Sequence, residues 1–370
     1  MKVKKLYLKD FRNYGECLFE FGEGINILYG ENAQGKTNVI EALYLFSSAR
    51  SHRGSKDREM ITFNKDEAEL KITFDSQMRE QESALKLYKE KNRKLFINEI
   101  EQKYQKALLG IFATVIFSPA DLSLVKDGPE ERRRFADTDI SQIRPNYFGI
   151  LKEYKKVIEL KTNLLKSEIK DDSLIEVYNE KIASLSAKIT VHRHRFCEEL
   201  SKLTSAALKY ISSNVEGAEI VYKIGASFDY SLNPKEISEK YKKELEEVKE
   251  NEKQKGVCLI GPHRDDFIFY LNGKEARSFA SQGQQRSLVM ALKLAEFEFM
   301  KEILGEPPIL LLDDIFSELD IKRQEKLLGF LNNKQVIITC TDRDHVEKIK
   351  FPSKLFRIKN GEILNITYNE

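Results

Sequence analysis

Gly30 Glu31 Asn32 Ala33 Gln34 Gly35 Lys36 Thr37 decides the reading of this chain. The stretch follows the alternating run Ile25 Asn26 Ile27 Leu28 Tyr29 and precedes an amphipathic segment from about Thr37 to Phe46. It therefore places G-x-x-x-x-G-K-[ST] at a strand–helix junction, the context that makes the pattern a P-loop. Glycines let the backbone curl until successive N–H groups converge on phosphate oxygens, and the helix N-terminus adds partial positive charge. Lys36 is expected to reach the β- and γ-phosphates and Thr37 to hold Mg²⁺, so the expected ligand is ATP with Mg²⁺.

Far downstream, Ile309 Leu310 Leu311 Leu312 Asp313 Asp314 follows Pro307 Pro308 and has the form of a Walker B strand, a buried apolar run ending in carboxylates. Adjacent acids repel unless a cation or water chemistry uses them. Asp313 is expected to bind Mg²⁺, directly or through water, and Asp314 to polarise the attacking water; a strand-end acid that caps the next helix is the other reading of Asp314. Between the two motifs, Ser281 Gln282 Gly283 Gln284 Gln285 Arg286 Ser287 opens an apolar helix that continues from Leu288 to Leu304. A Ser-Gly-Gln turn at a helix start is a second anion site, although Ser281 or Ser287 is also an ordinary N-cap. The segment resembles the signature motif of ABC-type ATPases, in which it completes the active site of a partner subunit. Ser317 Glu318 Leu319 Asp320, directly after Walker B, resembles the D-loop of that superfamily.

Around these motifs the first hundred residues alternate like sheet, at Leu6–Leu8, Leu18–Phe21, Leu70–Phe74, Leu85–Tyr88 and Leu95–Ile97. From about Asp121 to Ser213 the period becomes helical. Leu151, Tyr154, Val157, Ile158, Leu160, Leu164 and Leu165 mark one face of a helix, and a second helix runs roughly from Ile175 to Tyr210. The charge-rich segment Lys235 to Lys255 reads as a solvated helix or a linker. Sheet resumes at Phe267–Leu271 with an Asn272 Gly273 turn, at Val336–Ile338 and at the Asn360 Gly361 hairpin. The fold class is α/β, an ABC-type P-loop ATPase head of mixed sheet with flanking helices, interrupted by a short helical arm. Residues 1–120 and 256–370 are assigned to the head and 121–255 to the arm.

Composition removes several alternatives. The 370 residues suffice for two or three folding units without disulfides or metals, and 41% hydrophobic residues exclude wholesale disorder. No 18-residue apolar run exists, and Lys2, Lys4, Lys5 and Lys9 crowd the N-terminus, which predicts a cytoplasmic chain with no membrane partner. Cys17, Cys197, Cys258 and Cys340 are scattered and read as packing thiols, and His192 and His194 in a basic helix as a solvated surface. With 61 Lys+Arg against 59 Asp+Glu, any contact with polyanions must be patchy. The candidate phosphate-backbone contacts are Arg50, Arg53 and Lys56, then Arg132, Arg133 and Arg134, with Lys152, Lys155 and Lys156 just beyond.

Taken in order, these motifs resemble the RecF family over nearly the whole chain. Further segments carry the resemblance: Ala49 Arg50 Ser51 His52 Arg53, Phe117 Ser118 Pro119 with Asp121 Leu122, Gly128 Pro129 with Arg132 Arg133 Arg134 Phe135, and Gly261 Pro262 His263 Arg264 Asp265 Asp266. The resemblance implies a homodimer that ATP closes on DNA, slow DNA-stimulated hydrolysis, and cooperation with RecO and RecR in loading RecA at gapped DNA during the SOS response. Single-stranded DNA, duplex DNA and gapped junctions are the nucleic-acid partners it implies. In that mechanism Ser281, Gly283 and Gln284 of one copy clamp the γ-phosphate held by the other. Against the transporter signature Leu-Ser-Gly-Gly-Gln, this chain has Ala280 first and Gln282 third, and Asp314 stands where Glu is usual; both departures look RecF-like. Thr339, Thr341 and Asp342 occupy the region of the transporter switch histidine, for which His345 is a weak substitute. Gly261–Asp266 reads equally as salt-bridged support or as a nucleotide or DNA contact. The rivals are a transporter nucleotide-binding subunit, which the long insertion between Thr37 and Ser281 opposes, and an SMC-like chromosome organiser. A helix of about 40 residues reaches only about 60 Å, too short for such a tether.

Overall fold

The computed structural model describes residues 1–77, 79–103, 105–213, 215–226, 233–341 and 351–369. The N-terminal alternation forms β1 (Lys2–Phe11) and β2 (Tyr14–Glu20), and β3 (Ile25–Tyr29) runs straight into the glycine loop and α1 (Lys36–Ser48). The short α2 (Asp57–Met60) precedes β4 (Glu67–Ser76), β5 (Arg79–Tyr88), β6 (Lys94–Ile97) and β7 (Ile100–Gln102). These strands make an antiparallel sheet in the order β2-β1-β4-β5-β6-β7.

After β8 (Thr114–Phe117) the chain turns helical: α3 (Ser123–Lys126), α4 (Pro129–Ile143), α5 (Pro145–Lys166) and α6 (Asp172–Ser212). Proline in the first turn starts α4 and α5, where its missing N–H costs nothing. Asp171 caps α6, its carboxylate accepting from the Ser173 and Leu174 amides at 2.9 and 3.2 Å. Then follow β9 (Ala218–Lys223), α7 (Pro234–Glu247), α8 (Lys249–Lys255), β10 (Asp266–Leu271), β11 (Lys274–Glu275) and α9 (Ala276–Phe279). The chain closes with α10 (Gln282–Leu304), β12 (Ile309–Asp313), α11 (Ile321–Leu331), β13 (Val336–Cys340), β14 (Ser353–Lys359) and β15 (Glu362–Asn369).

The central sheet has the order β15-β14-β3-β13-β12-β8, parallel except for β15 at its edge. β12 and β13 are buried on both faces, as their continuous apolar runs require. Alternation sends Leu28, Ile309, Leu311, Ile337 and Phe356 into one core, shared with α1 and the antiparallel sheet. Ile27, Leu310, Leu312, Val336 and Ile338 enter the other, shared with α4, α6 and α10.

Three features differ from the sequence reading. The face of α5 contains Leu151, Tyr154, Val157, Lys161 and Leu165, all buried, while Leu160 is 41% exposed. Lys161 holds this apolar row because its ammonium pairs with the buried Glu252 carboxylate of α8 and with Asn179 of α6. Residues 235–255 are helical, not a linker, and one face of the charged helix is buried while the rest meets solvent. Ile237, Tyr241 and Leu245, spaced four apart, bury one face of α7, and Tyr241 lies 3.0 Å from the Thr190 hydroxyl of α6. Finally, β9, a strand just beyond the helical period that the sequence reading does not assign, pairs with β10 from Ala218 to Lys223, so residues 121–255 share a three-stranded sheet with the segment that follows.

Candidate functional site

The glycine loop lies at the C-terminal ends of β3, β12 and β13, where open parallel sheets place their ligands. Gly30 has φ 153°, and a Cβ there would lie 2.3 Å from the Ile358 carbonyl oxygen, so no side chain fits. Two turns brace the loop from outside. The Gln34 carbonyl accepts from Asn13 Nδ2 (2.9 Å) and from the Gly361 amide (3.0 Å), and Gln34 Oε1 accepts from the Asn360 amide (2.7 Å). Tyr14 donates to the Gly35 carbonyl at 3.1 Å. Lys36 folds back across the loop, its Nζ donating to the carbonyls of Gly30 (2.7 Å) and Glu31 (2.6 Å). Burial lowers its pKa from the ordinary lysine range, and Asp314 and Asp313 work against that shift. The pocket beside it, about 300 Å³, is lined by Asn32, Ala33, Gly35, Lys36, Thr37, Asn38, Arg53, Asp314, Thr339 and Thr341.

Asp313 stands at the end of β12 with Oδ1 accepting from the hydroxyls of Thr37 (2.9 Å) and Thr339 (2.7 Å). Thr339 thus joins two motifs across β13, a role the sequence showed only as its position after an apolar strand. A hydroxyl beside a carboxylate is a set of hard oxygen donors of the kind Mg²⁺ takes alongside phosphate and water. Asp314 adopts the left-handed conformation (φ 51°), and its amide donates to Thr339 Oγ1 at 2.9 Å. Its side chain makes no capping bond to the turn Ile315–Glu318, so the capping reading of Asp314 does not hold.

Ser281 is exposed at the N-terminus of α10 and closes a capping box: its hydroxyl accepts from the Gln284 amide (3.3 Å), and Gln284 Oε1 accepts from the Ser281 amide (2.9 Å). Sequence reasoning missed Arg323. From α11 its guanidinium donates to the Gly283 carbonyl (2.9 Å) and to Ser287 Oγ (2.9 and 2.8 Å), and it pairs with Asp320, the cap of α11. Signature and D-loop are therefore tied together. None of Ser281–Ser287 lines the P-loop pocket.

The basic candidates separate. Arg50, Arg53, Lys56 and Arg134 are exposed, and Arg53 reaches the nucleotide pocket, where it donates to Asn38 Oδ1 at 3.3 Å. Arg132 is buried, forked onto Asp266 at 2.7 and 2.9 Å, which removes it from the exposed cluster expected from sequence. Arg133 is half-buried and donates to the Asp265 carbonyl at 2.6 Å. Arg193, read as part of a solvated helix, is also buried: it forks onto Asp137 (3.0 and 3.1 Å) and reaches Asp265 (3.2 Å). Gly261–Asp266 is accordingly a support. Asp265 accepts from Arg193, Tyr222 and the Gly225 amide. His263 Nε2 faces the Cys258 carbonyl (3.1 Å) and must carry the proton, leaving Nδ1 to accept from Tyr154 (2.6 Å). Burial pushes its pKa down to about 4, which keeps it neutral. All four cysteines are free and buried. Asp342 and His345 lie outside the described residues, and among the described residues no helix is long and apolar enough to cross a membrane.

A P-loop and a Walker B strand on one parallel sheet, with a capped signature helix tied to its D-loop, define an ABC-type ATPase head. The RecF/RecN/SMC N terminal domain family matches residues 2–363. The DNA replication and repair protein RecF of Acetivibrio thermocellus is 40% identical over 367 residues, covering 98% of this chain and 99% of that protein. RecF of Staphylococcus aureus strain JH9 is 38% identical over 371 residues, covering 98% and 100%. A solved structure described as the recombination mediator protein RecF-ATPrS in the RecFOR pathway superposes with TM-score 0.92 at 36% identity, covering 98% of this chain and 97% of that one. The Smc head domain from Pyrococcus furiosus shares the fold, with TM-score 0.57 at 16% identity. The chain belongs to the RecF family.

Proposed function

We propose that this chain is an ATP-dependent DNA-binding protein of recombinational repair and replication, working in the cytoplasm as a dimer that ATP closes and slow, DNA-stimulated hydrolysis reopens. One observation carries the reading: the P-loop pocket receives nothing from the signature segment, while Ser281 stands exposed at a helix N-terminus. A second copy, docked head to tail, supplies the missing wall. We assign residues 1–120 and 256–370 to the ATPase head and 121–255 to the arm, with the β9–β10 pairing joining the two.

In this mechanism the amides of Gly30 through Thr37, including Glu31, Asn32, Ala33 and Gln34, surround the phosphates, and Lys36 leaves its loop carbonyls for the β- and γ-oxygens. Thr37 and Asp313 would hold Mg²⁺, which supplies charge neutralisation between the β- and γ-phosphates. Asp314 orients the attacking water, and Ser281, Gly283 and Gln284 of the opposite copy aim the start of α10 at the γ-phosphate. Arg50, Lys56, Arg133 and Arg134 hold DNA backbone. Relatives described as RecF of the RecFOR pathway support the further roles, cooperation with RecO and RecR and loading of RecA in the SOS response.

Sedimentation of the purified chain with and without ATP, repeated with gapped DNA, tests this. The wild type should sediment as a monomer alone and as a dimer with ATP. Lys36→Ala should lose both nucleotide and dimer, and Ser281→Arg should keep nucleotide affinity and lose only the dimer. A Ser281→Arg protein that still dimerises with ATP rules out the shared site.

A further inference from the structure

A second concavity, about 430 Å³, opens between the end of α1, α4 and α5, away from the P-loop. Arg50, Arg133 and Lys155 face it from three separate elements. Among the described residues, Arg50 and Lys155 make no ion pair and no side-chain hydrogen bond, and Arg133 gives its one bond to a neutral carbonyl. Of the two carboxylates in the lining, Asp137 is already the acceptor of Arg193 and Tyr147, and Glu130 is exposed. Cations gathered in one hollow repel one another, so the arrangement is complementary to an anion. Burial, and then Arg193, pushes Arg133 below the ordinary arginine range.

Part of the wall is apolar. Phe148, Leu151 and Ile158 line it, and the half-buried Phe148 ring has no aromatic partner among the described residues. Cations and an aromatic ring around one volume of this size suit a phosphate ester joined to a flat base. The outer face of α5 continues the positive track with exposed Lys152 and Lys156, which favours a chain of such units over a lone one. A duplex keeps its bases stacked inside; a single strand can turn one outward.

We propose that this pocket seats one nucleotide of single-stranded DNA, its phosphate on Arg50, Arg133 and Lys155 and its base against Phe148, as a site separate from that of ATP. The proposal rests on the DNA-binding reading above and assigns it a strand type and a location.

Fluorescence anisotropy with a labelled oligothymidylate and a duplex of equal length, over a salt series, tests it. Arg133→Gln with Lys155→Gln should lower the single-strand slope of log K against log salt by about 1.4, that is ~0.7 for each cation removed from the phosphate. Lys155→Gln alone, an exposed change, should lower it by about 0.7. Phe148→Ser should weaken oligothymidylate about tenfold with the slope unchanged, because stacking releases no counterions. Duplex affinity should change far less in every variant. Equal losses on both DNAs with Phe148→Ser silent would overturn the pocket in favour of a general basic surface. Displacement by dTMP at concentrations comparable to the oligonucleotide, with the P-loop saturated, would overturn the strand in favour of a free nucleotide. A wild type that binds neither DNA sinks this proposal together with the DNA-binding reading; a wild type that binds while all variants match it sinks this proposal alone.

Discussion

Arg323→Ala separates assembly of the shared site from nucleotide binding. The guanidinium bridges the Gly283 carbonyl, the Ser287 hydroxyl and Asp320, and its side chain is 23% exposed. The Asp320 pair is half in water and contributes at most about 1 kcal/mol. Its bonds to Gly283 and Ser287 are charge-assisted and partly buried, worth roughly 1.5–3 kcal/mol each in isolation and less together because they share one group. Removing them should cost about 2–3 kcal/mol of local stability at the junction of α10 and α11. If half of that reaches the closed dimer, association weakens about tenfold, since about 1.4 kcal/mol is a factor of ten. Affinity of the monomer for ATP should be unchanged, because Arg323, Gly283 and Ser287 lie outside the P-loop pocket. Sedimentation velocity over a protein dilution series with a non-hydrolysable analogue reads the first quantity, and titration of a fluorescent nucleotide into dilute monomer reads the second. Arg323→Lys, which keeps the charge but cannot fork, should fall between. Unaltered dimerisation, or a matching loss of nucleotide affinity, refutes the argument that this residue orients the signature helix.

Three further expectations concern chemistry and stability. Asp314→Asn should bind ATP and dimerise but stall, and steady-state phosphate release at the wild-type rate would move the water-orienting role elsewhere. Lys161→Met leaves the Glu252 carboxylate buried with, among the described residues, the Leu259 amide as its remaining donor and should cost about 3–5 kcal/mol in urea unfolding. Adding Glu252→Gln should recover a large part of that, and a double variant no more stable than the single would show the pair to be incidental. Burial holds Glu296 of α10 at about 7, against the pull of Lys293, and holds Asp139 of α4 well above the usual carboxylate range. Glu296 binds its proton more tightly folded than unfolded, so its contribution to stability is complete below the free value of 4.5 and is lost as pH rises through 7; Asp139 acts in the same direction. Glu296→Gln should flatten the fall in urea midpoint over that window; an unchanged slope would place the titration on other groups.

Elements set by local chemistry were legible in the sequence. The strand–loop–helix of the P-loop, the apolar Walker B strand and the Asn360 Gly361 hairpin each announce themselves within a few residues, through glycine conformations and an unbroken apolar run. The elements that misled are those whose environment is decided by distant partners. Arg193 looks solvated beside His192 and His194, yet Asp137 and Asp265 meet it from α4 and from the turn before β10. Lys161 breaks an apolar row on paper and completes it in space once Glu252 arrives from α8. The alternation of Ala218, Ile220 and Tyr222 in β9 is present in the sequence, and a test for period two just after the helical period ends at Ser213 finds it.

The site divides along the same line. Lys36, Thr37 and Asp313 meet because the parallel sheet gathers the C-terminal ends of β3 and β12, with Thr339 from β13 joining them. Residue types alone identified the first three. Arg53 lay within a basic run and was grouped with Arg50 and Lys56, since charge along a chain does not report direction. Direction comes from the buried Glu41 of α1, which accepts from Arg12 and Ser51 and holds the segment after α1 against the P-loop helix. That anchor presents Arg53 to the nucleotide pocket and leaves Arg50 on the side of the second cavity. One short segment therefore serves two anionic surfaces, and substitutions at Arg50 and Arg53 are expected to separate: Arg53→Ala should weaken ATP, whereas Arg50→Ala should weaken single-stranded DNA and lower its salt slope by about 0.7. Nucleotide titration and DNA anisotropy on the same two proteins decide it, and identical phenotypes would mean that the anchor does not sort the two side chains.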